Sequence, residues 1–189
     1  MAKAPALFLD RDGVINKERH YVHRKEDFKF IDGVFDACRQ ARALGYKLII
    51  VTNQAGIARG IYSESDFHSL TRWMLQKFTD QGVSIEGVYF CPHHPTAGKG
   101  KYLKKCHCRK PLPGLFEQAV NEHDIDPLRS VVVGDKVSDM EAAASAGIGM
   151  CVLVRSGHRL DDDTGKLRGV HIATDLLEAV HIIGDKGKC

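Results

Sequence analysis

Short apolar runs rich in β-branched residues recur along the chain at Ala6–Leu9, Lys47–Val51, Val88–Phe90, Val131–Val133, Cys151–Val154 and, more weakly, Val170–Ile172. Runs this short without polar alternation predict strands covered on both faces. Between them the apolar period becomes helical. Val34, Ala37, Cys38, Ala41 and Leu44 form one stripe ending at Gly45, a residue suited to the left-handed position after a helix. Phe67, Leu70, Met74 and Phe78 form a second stripe, predicting a helix over about 65–81 with Trp73 as ordinary core. Pro113 opens a third helix; Ser138 and Glu141 read as a capping box for a fourth, closed by Gly147; a short last helix follows Thr174. Strands alternating with helices predict an α/β fold with a doubly wound parallel sheet, whose ligand site lies beyond the carboxyl ends of the strands. There is no repeat or long linker, so residues 1–189 are expected to form a single domain, with only Gly184–Cys189 reading as a frayed tail.

Composition narrows the class. A chain of 189 residues, 43% hydrophobic and 27% charged, has enough core to fold alone and is neither disordered nor fibrous. Its apolar runs fall far short of the roughly 20 residues that cross a bilayer. Met1–Pro5 leads almost directly to an acidic motif at Asp10, leaving no room for a secretion signal, so a cytoplasmic location is expected. A formal charge of +3 is too mild to argue for nucleic acid; no nucleic-acid or membrane partner is expected, and the chain is expected to be a monomer. The charge is nevertheless uneven. Lys99, Lys101, Lys104, Lys105, Arg109 and Lys110 fall together with no acid among them, a local field suited to an anion.

Reactive residues follow the predicted strands. Asp10, Arg11, Asp12 and Gly13 follow the first, Thr52 and Asn53 the second, Cys91 and His93 the third, and Gly134, Asp135, Lys136 and Asp139 the fourth. Carboxylates converging at strand ends are hard oxygen ligands that suit Mg²⁺, especially beside a phosphate. Thr52 offers a hydroxyl and Lys110 a fixed cation for phosphoryl oxygens, which completes a toolkit for phosphoryl transfer through a carboxylate nucleophile.

Cys91-x-His93, followed after twelve residues by Cys106-x-Cys108, offers one imidazole and three thiols, a full tetrahedral set for Zn²⁺. His94 and His107 compete by sequence, with His93 preferred because the two arms then match in spacing. A filled site is structural, and the stretch from Pro92 to Lys105, which shows no evident secondary structure, needs such a staple. Because the second arm ends directly before Arg109 and Lys110, zinc would hold two cations at the phosphate site. Cys38 and Cys151 are expected in the core and Cys189 in the tail, while His123, His158, His171 and His181 carry no functional signal.

Asp10-Arg11-Asp12-Gly13, Thr52-Asn53, Arg109-Lys110-Pro111 and Gly134-Asp135 with Asp139, in that order, resemble the four motifs of the haloacid dehalogenase (HAD) superfamily of phosphatases. The resemblance implies Asp10 as nucleophile, Asp12 as acid and base, and Thr52 and Lys110 as stabilisers of the phosphoryl group. It implies Mg²⁺ on the Asp10 carboxylate, the Asp12 carbonyl and the Asp135 carboxylate, and leaves Asp139 as an orienting group or a simple helix-start acid. The gaps between motifs are filled by predicted elements, so a capless enzyme is expected, without the enclosure a phosphomutase needs. Recognition then falls to Asn16–Tyr21, Gln54–Gly60 and the zinc loop, with Arg19, Arg59, Arg109 and Lys136 as spare cations for a second anionic group.

Within the capless members, Asp10–Asn16, Thr52–Ile57, Cys91-Pro92-His93-His94 and Cys106–Pro111 are similar to the family of D-glycero-D-manno-heptose 1,7-bisphosphate phosphatases. That likeness implies a small phosphorylated sugar as substrate, removal of its C7 phosphate, and substrate contacts from Asn53, Gln54, Ala55, Arg109 and Lys136. Histidinol-phosphate phosphatases share the catalytic motifs and zinc loop and are the alternative; Val14-Ile15-Asn16 favours the heptose branch.

Overall fold

The computed structural model describes residues 3–158 and 169–186; Cys189 and the rest of the expected tail after Lys186 lie outside the described residues. In chain order the elements are β1 (Ala6–Leu9), α1 (Val34–Ala43), β2 (Lys47–Asn53), α2 (Ala55–Arg59), α3 (Glu64–Asp80), β3 (Gly87–Cys91), α4 (Gly114–Glu122), β4 (Val131–Gly134), α5 (Val137–Ser145), β5 (Met150–Val154), β6 (Val170–Ala173) and α6 (Leu176–Lys186), with one 3-10 turn at Gly100–Tyr102. The six strands form one parallel sheet in the order β3-β2-β1-β4-β5-β6.

Alternation along β1 divides the core in two. Leu7 and Leu9 face a layer that includes Val34, Ala37 and Cys38 of α1, Leu70, Met74 and Phe78 of α3, and Leu176, Ala179 and Val180 of α6. Ala6 and Phe8 face the other layer, where Leu115 and Phe116 of α4 pack with Met140 and Ala142 of α5. Phe8 meets Phe116 edge-on, with ring centroids 5.3 Å apart. The central strands are therefore buried on both sides, which is why they read as unbroken apolar runs.

Local chemistry sets the boundaries. Ser63 and Asp66 cap α3 reciprocally, side chain to backbone, at 3.1 and 2.8 Å. Gly45 closes α1 at φ +89°, while Leu44, placed on the α1 stripe by periodicity, lies past the last helical turn and is exposed. The helix after β4 starts differently from expectation: Asp139, not Glu141, reaches back to the helix start and accepts the Lys136 N–H at 3.1 Å. Asp139 is buried where Glu141 is exposed, so it can serve the backbone and an internal cation together.

Three further expectations are corrected. Gln54–Gly60, read as a loop, contains the short helix α2, because Gly56, Ile57 and Ala58 are buried under Tyr62 and Phe67. Pro92–Lys105 carries the 3-10 turn and a bridge between His94 and Leu103. Gly184–Lys186, read as tail, continues α6.

Candidate active site

The strand order reverses between β1 and β4, the position where an open parallel sheet leaves a crevice. Asp10 leaves β1 and Asp135 leaves β4 at that point, and with Asp139 they form a buried group whose ligand oxygens lie within 4.8 Å of one another. The cleft above them is lined by Asp10, Asp12, Glu18, His20, Tyr21, Asn53, Gln54, Ala55, Tyr62, Lys110, Lys136, Ser138, Asp139 and His158.

Lys110 is the internal counter-ion. Its ammonium lies 2.7 Å from Asp139, 3.2 Å from Asp10 and 2.8 Å from the Val51 carbonyl. Burial works against that charge, but Asp10 and Asp139 outweigh it and hold the ammonium above its ordinary pKa. Lys110, helped by Lys136 in the cleft wall, does not fully offset the acids. Burial first, with Asp139 and Asp135 adding to it against Lys110, pushes Asp10 up to about 7. Among the described residues, Asp135 Oδ1 is buried without a hydrogen-bond partner, and Asp10 Oδ1 has the Lys110 ammonium beside it with no aligned bond. Two under-satisfied carboxylate oxygens among three acids fit a hard divalent cation such as Mg²⁺.

The loop after β5 holds the other oxygen of Asp135. The His158 backbone N–H donates to Oδ2 at 3.0 Å, and His158 Nδ1 lies 2.7 Å from the same atom. Ser156 ties this loop to the Gly13 carbonyl at 2.7 Å. His158 gave no signal in the sequence because it follows no reactive motif; its position after the fifth strand was the available clue.

Asp12 is held sideways. Its carboxylate accepts from Arg11 at 2.8–3.2 Å, from Asn16 at 3.0 Å and from Gln54 at 3.1 Å. Burial would raise its pKa, but the Arg11 charge and these bonds prevail and hold it below the usual carboxylate range. Thr52, 1% exposed, is not in the cleft lining; it lies beneath it, with its hydroxyl accepting from the Gln54 amide at 2.9 Å. Asn53 fixes Lys110 through both ends of its amide, donating to the Lys110 carbonyl at 3.1 Å and accepting its N–H at 3.2 Å.

Of the expected substrate contacts, Asn53, Gln54, Ala55 and Lys136 line the cleft. Arg19 does not: it is exposed to solvent and outside the lining, while its neighbours Glu18, His20 and Tyr21 line the cleft rim, where the loop turns through His20 and Tyr21 at φ +45° and +63°. Arg109 is not in the cleft lining either; it is half-buried and donates to the His93 carbonyl at 3.2 Å, at the base of the cysteine loop.

Cys91, His93, Cys106 and Cys108 converge with their ligand atoms within 4.8 Å. Sulfur-to-sulfur distances are 3.1–3.5 Å, His93 Nδ1 lies 3.4 and 3.7 Å from Cys108 and Cys91, and the thiols are free. The donor set fits Zn²⁺ with no position left over. The competing histidines are used elsewhere: His94 Nδ1 accepts from Thr96 and Ala97 N–H at 3.2 and 2.9 Å, and His107 pairs with Glu117 at 2.7 Å.

Comparison with known proteins agrees with this geometry. A family described as HAD-hydrolase-like matches residues 107–179. A D-glycero-beta-D-manno-heptose-1,7-bisphosphate 7-phosphatase of Vibrio cholerae is 50% identical over 180 residues, covering 95% of this chain and 94% of that one. One from Yersinia pestis is 54% identical over 153 residues, 81% of each chain. Among solved structures, the D,D-heptose 1,7-bisphosphate phosphatase of B. bronchiseptica, complexed with magnesium and phosphate, aligns with TM-score 0.82 at 26% identity over 96% of this chain and 99% of that one. Half-identity across nearly the full length of both sequences is far more than a shared fold requires, and the chain belongs to the D-glycero-D-manno-heptose 1,7-bisphosphate phosphatase family of HAD-like hydrolases.

Proposed function

We propose that the protein hydrolyses the C7 phosphate of D-glycero-D-manno-heptose 1,7-bisphosphate, with Asp10 as nucleophile. The observation that carries the chemistry is the crevice at the sheet reversal, where Asp10, Asp135 and Asp139 crowd around a single buried ammonium. Mg²⁺ held by the Asp10 and Asp135 carboxylates and the Asp12 carbonyl would neutralise these acids and the incoming phosphoryl oxygens. An Asp10 oxygen attacks phosphorus and the bond to the sugar oxygen breaks; Asp12, ionised in the resting site, takes up a proton as the substrate binds and hands it to that oxygen. Asp12 then takes a proton from the water that cleaves the aspartyl phosphate. Lys110 and Thr52 stabilise the transferring group by fixed charge and hydrogen bonding.

Asn53, Ala55 and Lys136 contact the substrate from the cleft wall, while Arg109, outside the cleft lining, would reach it only from the base of the cysteine loop. Zinc bound to Cys91, His93, Cys106 and Cys108 holds that loop in place and takes no part in the reaction. The relatives named above carry the β anomer in their names, and we assign the β form as the preferred substrate.

Phosphate release from both anomers and from histidinol phosphate, with Mg²⁺ and with Asp10→Asn as blank, tests this reading. A preference for the β-bisphosphate supports it. Preference for histidinol phosphate overturns the substrate, and turnover by Asp10→Asn overturns the mechanism.

A further inference from the structure

Gln54 follows the Thr52-Asn53 motif and was expected to touch substrate, yet it is 2% exposed and its polar atoms are committed to protein partners. The orientation of its amide follows from what those partners can do. An ionised Asp12 only accepts, so the NH₂ end must face it, at 3.1 Å. The same NH₂ lies 2.9 Å from Thr52 Oγ, and the amide oxygen is left for Tyr62, whose hydroxyl donates at 2.5 Å. A threonine hydroxyl that accepts from an amide keeps its own proton for another acceptor. With Thr52 next to the cleft-lining Asn53 and Gln54, a phosphoryl oxygen of the bound substrate would be that acceptor.

Tyr62 has little freedom to move. A Cβ on Gly56 would fall 2.1 Å from its ring, so only glycine admits this approach. His23 stacks on Tyr62 at 5.0 Å with the planes 5° apart. On the far side of Asp12, Arg11 is 1% exposed and anchored to the Val22 carbonyl at 2.8 Å.

We infer that Gln54 is a positioning residue, oriented by Tyr62, that places the Asp12 carboxylate and turns the Thr52 hydroxyl into a phosphoryl donor. This rests on the phosphatase reading above. It separates the buried Gln54 from Asn53 and Ala55, which are half-buried at the cleft and present their exposed atoms to the substrate, for Asn53 not the Lys110-bound ends of its amide alone. The device sets a direction as well as a distance: each proton in the chain from Tyr62 through Gln54 points toward the reacting centre.

The test compares leaving groups. A sugar alkoxide needs the Asp12 proton, whereas p-nitrophenolate departs without one, and kcat/KM reports only steps through leaving-group release. Gln54→Met keeps the volume but loses both donors. Its kcat/KM should fall on the order of 100-fold with the sugar bisphosphate and about 10-fold with p-nitrophenyl phosphate, through kcat rather than KM. Tyr62→Phe should fall in the same direction by a smaller factor, since the amide remains but is free to turn. Melting temperatures measured alongside show that the variants fold; if Gln54→Met does not, Tyr62→Phe decides. Equal losses on both substrates, or a raised KM with kcat intact, would overturn the inference. Wild-type enzyme inert on the bisphosphate but active on histidinol phosphate would instead remove the substrate assignment, and the alkyl-to-aryl comparison would then be made with histidinol phosphate.

Discussion

Gly157→Ala tests whether the placement of Asp135 controls metal binding. Gly157 does not have a left-handed backbone, so alanine meets no left-handed strain there. The obstacle is steric: the new Cβ would lie 2.1 Å from Asp135 Oδ2 and 2.7 Å from the carboxyl carbon. Ordinary contact lies above about 3.5 Å, so the carboxylate must move by about 1 Å or the 155–158 loop must lift. Either movement breaks the bonds from His158 to Oδ2 and redirects the Oδ1 atom that faces the proposed metal. Overpacking of this kind costs about 2 kcal/mol, a fall of about 4–8 °C in Tm for a chain of this length. A displacement of about 1 Å in a reacting assembly costs on the order of 100-fold in rate. Calorimetric Mg²⁺ titration and phosphate release should therefore both show large losses while the protein still folds cooperatively. Gly45→Ala is the control: at φ +89° with nothing within 4 Å, it should lose about 1–2 kcal/mol to backbone strain and keep its turnover. Wild-type Mg²⁺ affinity in Gly157→Ala would refute the reasoning.

Other consequences follow from the buried charges and the cysteine loop. Asp10→Asn should lose at least about 1000-fold in phosphate release, because the amide cannot attack phosphorus. In Mg²⁺-free buffer its stability should also reveal the Asp10 titration. With a folded pKa of about 7 against an ordinary value of 3.8, the stabilisation from the neutral acid is complete below the ordinary value and is lost as pH rises to about 7. Urea midpoints of the wild type should thus fall relative to Asp10→Asn between pH 4 and pH 7 and run parallel above, and a pH-independent gap would refute the assignment. Lys110→Met removes the cation shared by Asp10 and Asp139 and should destabilise the protein by about 3–5 kcal/mol in urea denaturation. Cys106→Ser should bind less than the one zinc per chain expected of the wild type in metal analysis, with a lower Tm and reduced turnover.

The strands and most helices were legible because each buries a continuous apolar run or a clear stripe. β1 and β4 are apolar throughout and covered on both faces, and their ends place Asp10 and Asp135 together at the sheet reversal. The convergence of Cys91, His93, Cys106 and Cys108 was legible because each pair is local, with one residue between its members. What escaped depends on partners distant in the chain. His158 matters through Asp135, and Gln54 through Asp12, 42 positions away. Arg19 was misplaced because its charge suggested an anion while its loop turned it outward. α2 escaped because five residues give too short a period to see, and its buried face depends on Tyr62 and Phe67 closing over it.

The position of Lys110 gives the zinc proposed for the cysteine cluster a purpose beside the catalytic centre. Its ammonium is enclosed by three elements, meeting Asp10 after β1, the Val51 carbonyl of β2 and Asp139 of α5, while its own segment is an irregular connection between the cysteine loop and α4. A long flexible side chain on an irregular segment gives poor placement by itself, because ordering it costs about 2 kcal/mol of side-chain entropy. Two anchors meet that cost. Asn53 grips the Lys110 backbone through both ends of its amide, and Cys108, two residues earlier, belongs to the four-donor cluster. Cys91, Cys106 and Cys108 also pack into the layer that holds Phe8, Ile49 and Val132, but the layer on the opposite face, with Leu7, Leu9, Leu48 and Ile50, contains none of the four donors. Loss of zinc should accordingly release the loop and the Arg109-Lys110 pair while the sheet persists, so turnover is expected to fail at lower chelator exposure than the far-ultraviolet circular dichroism of the fold. Coincident loss of both signals would mean that the cluster holds the whole domain and not the cation alone.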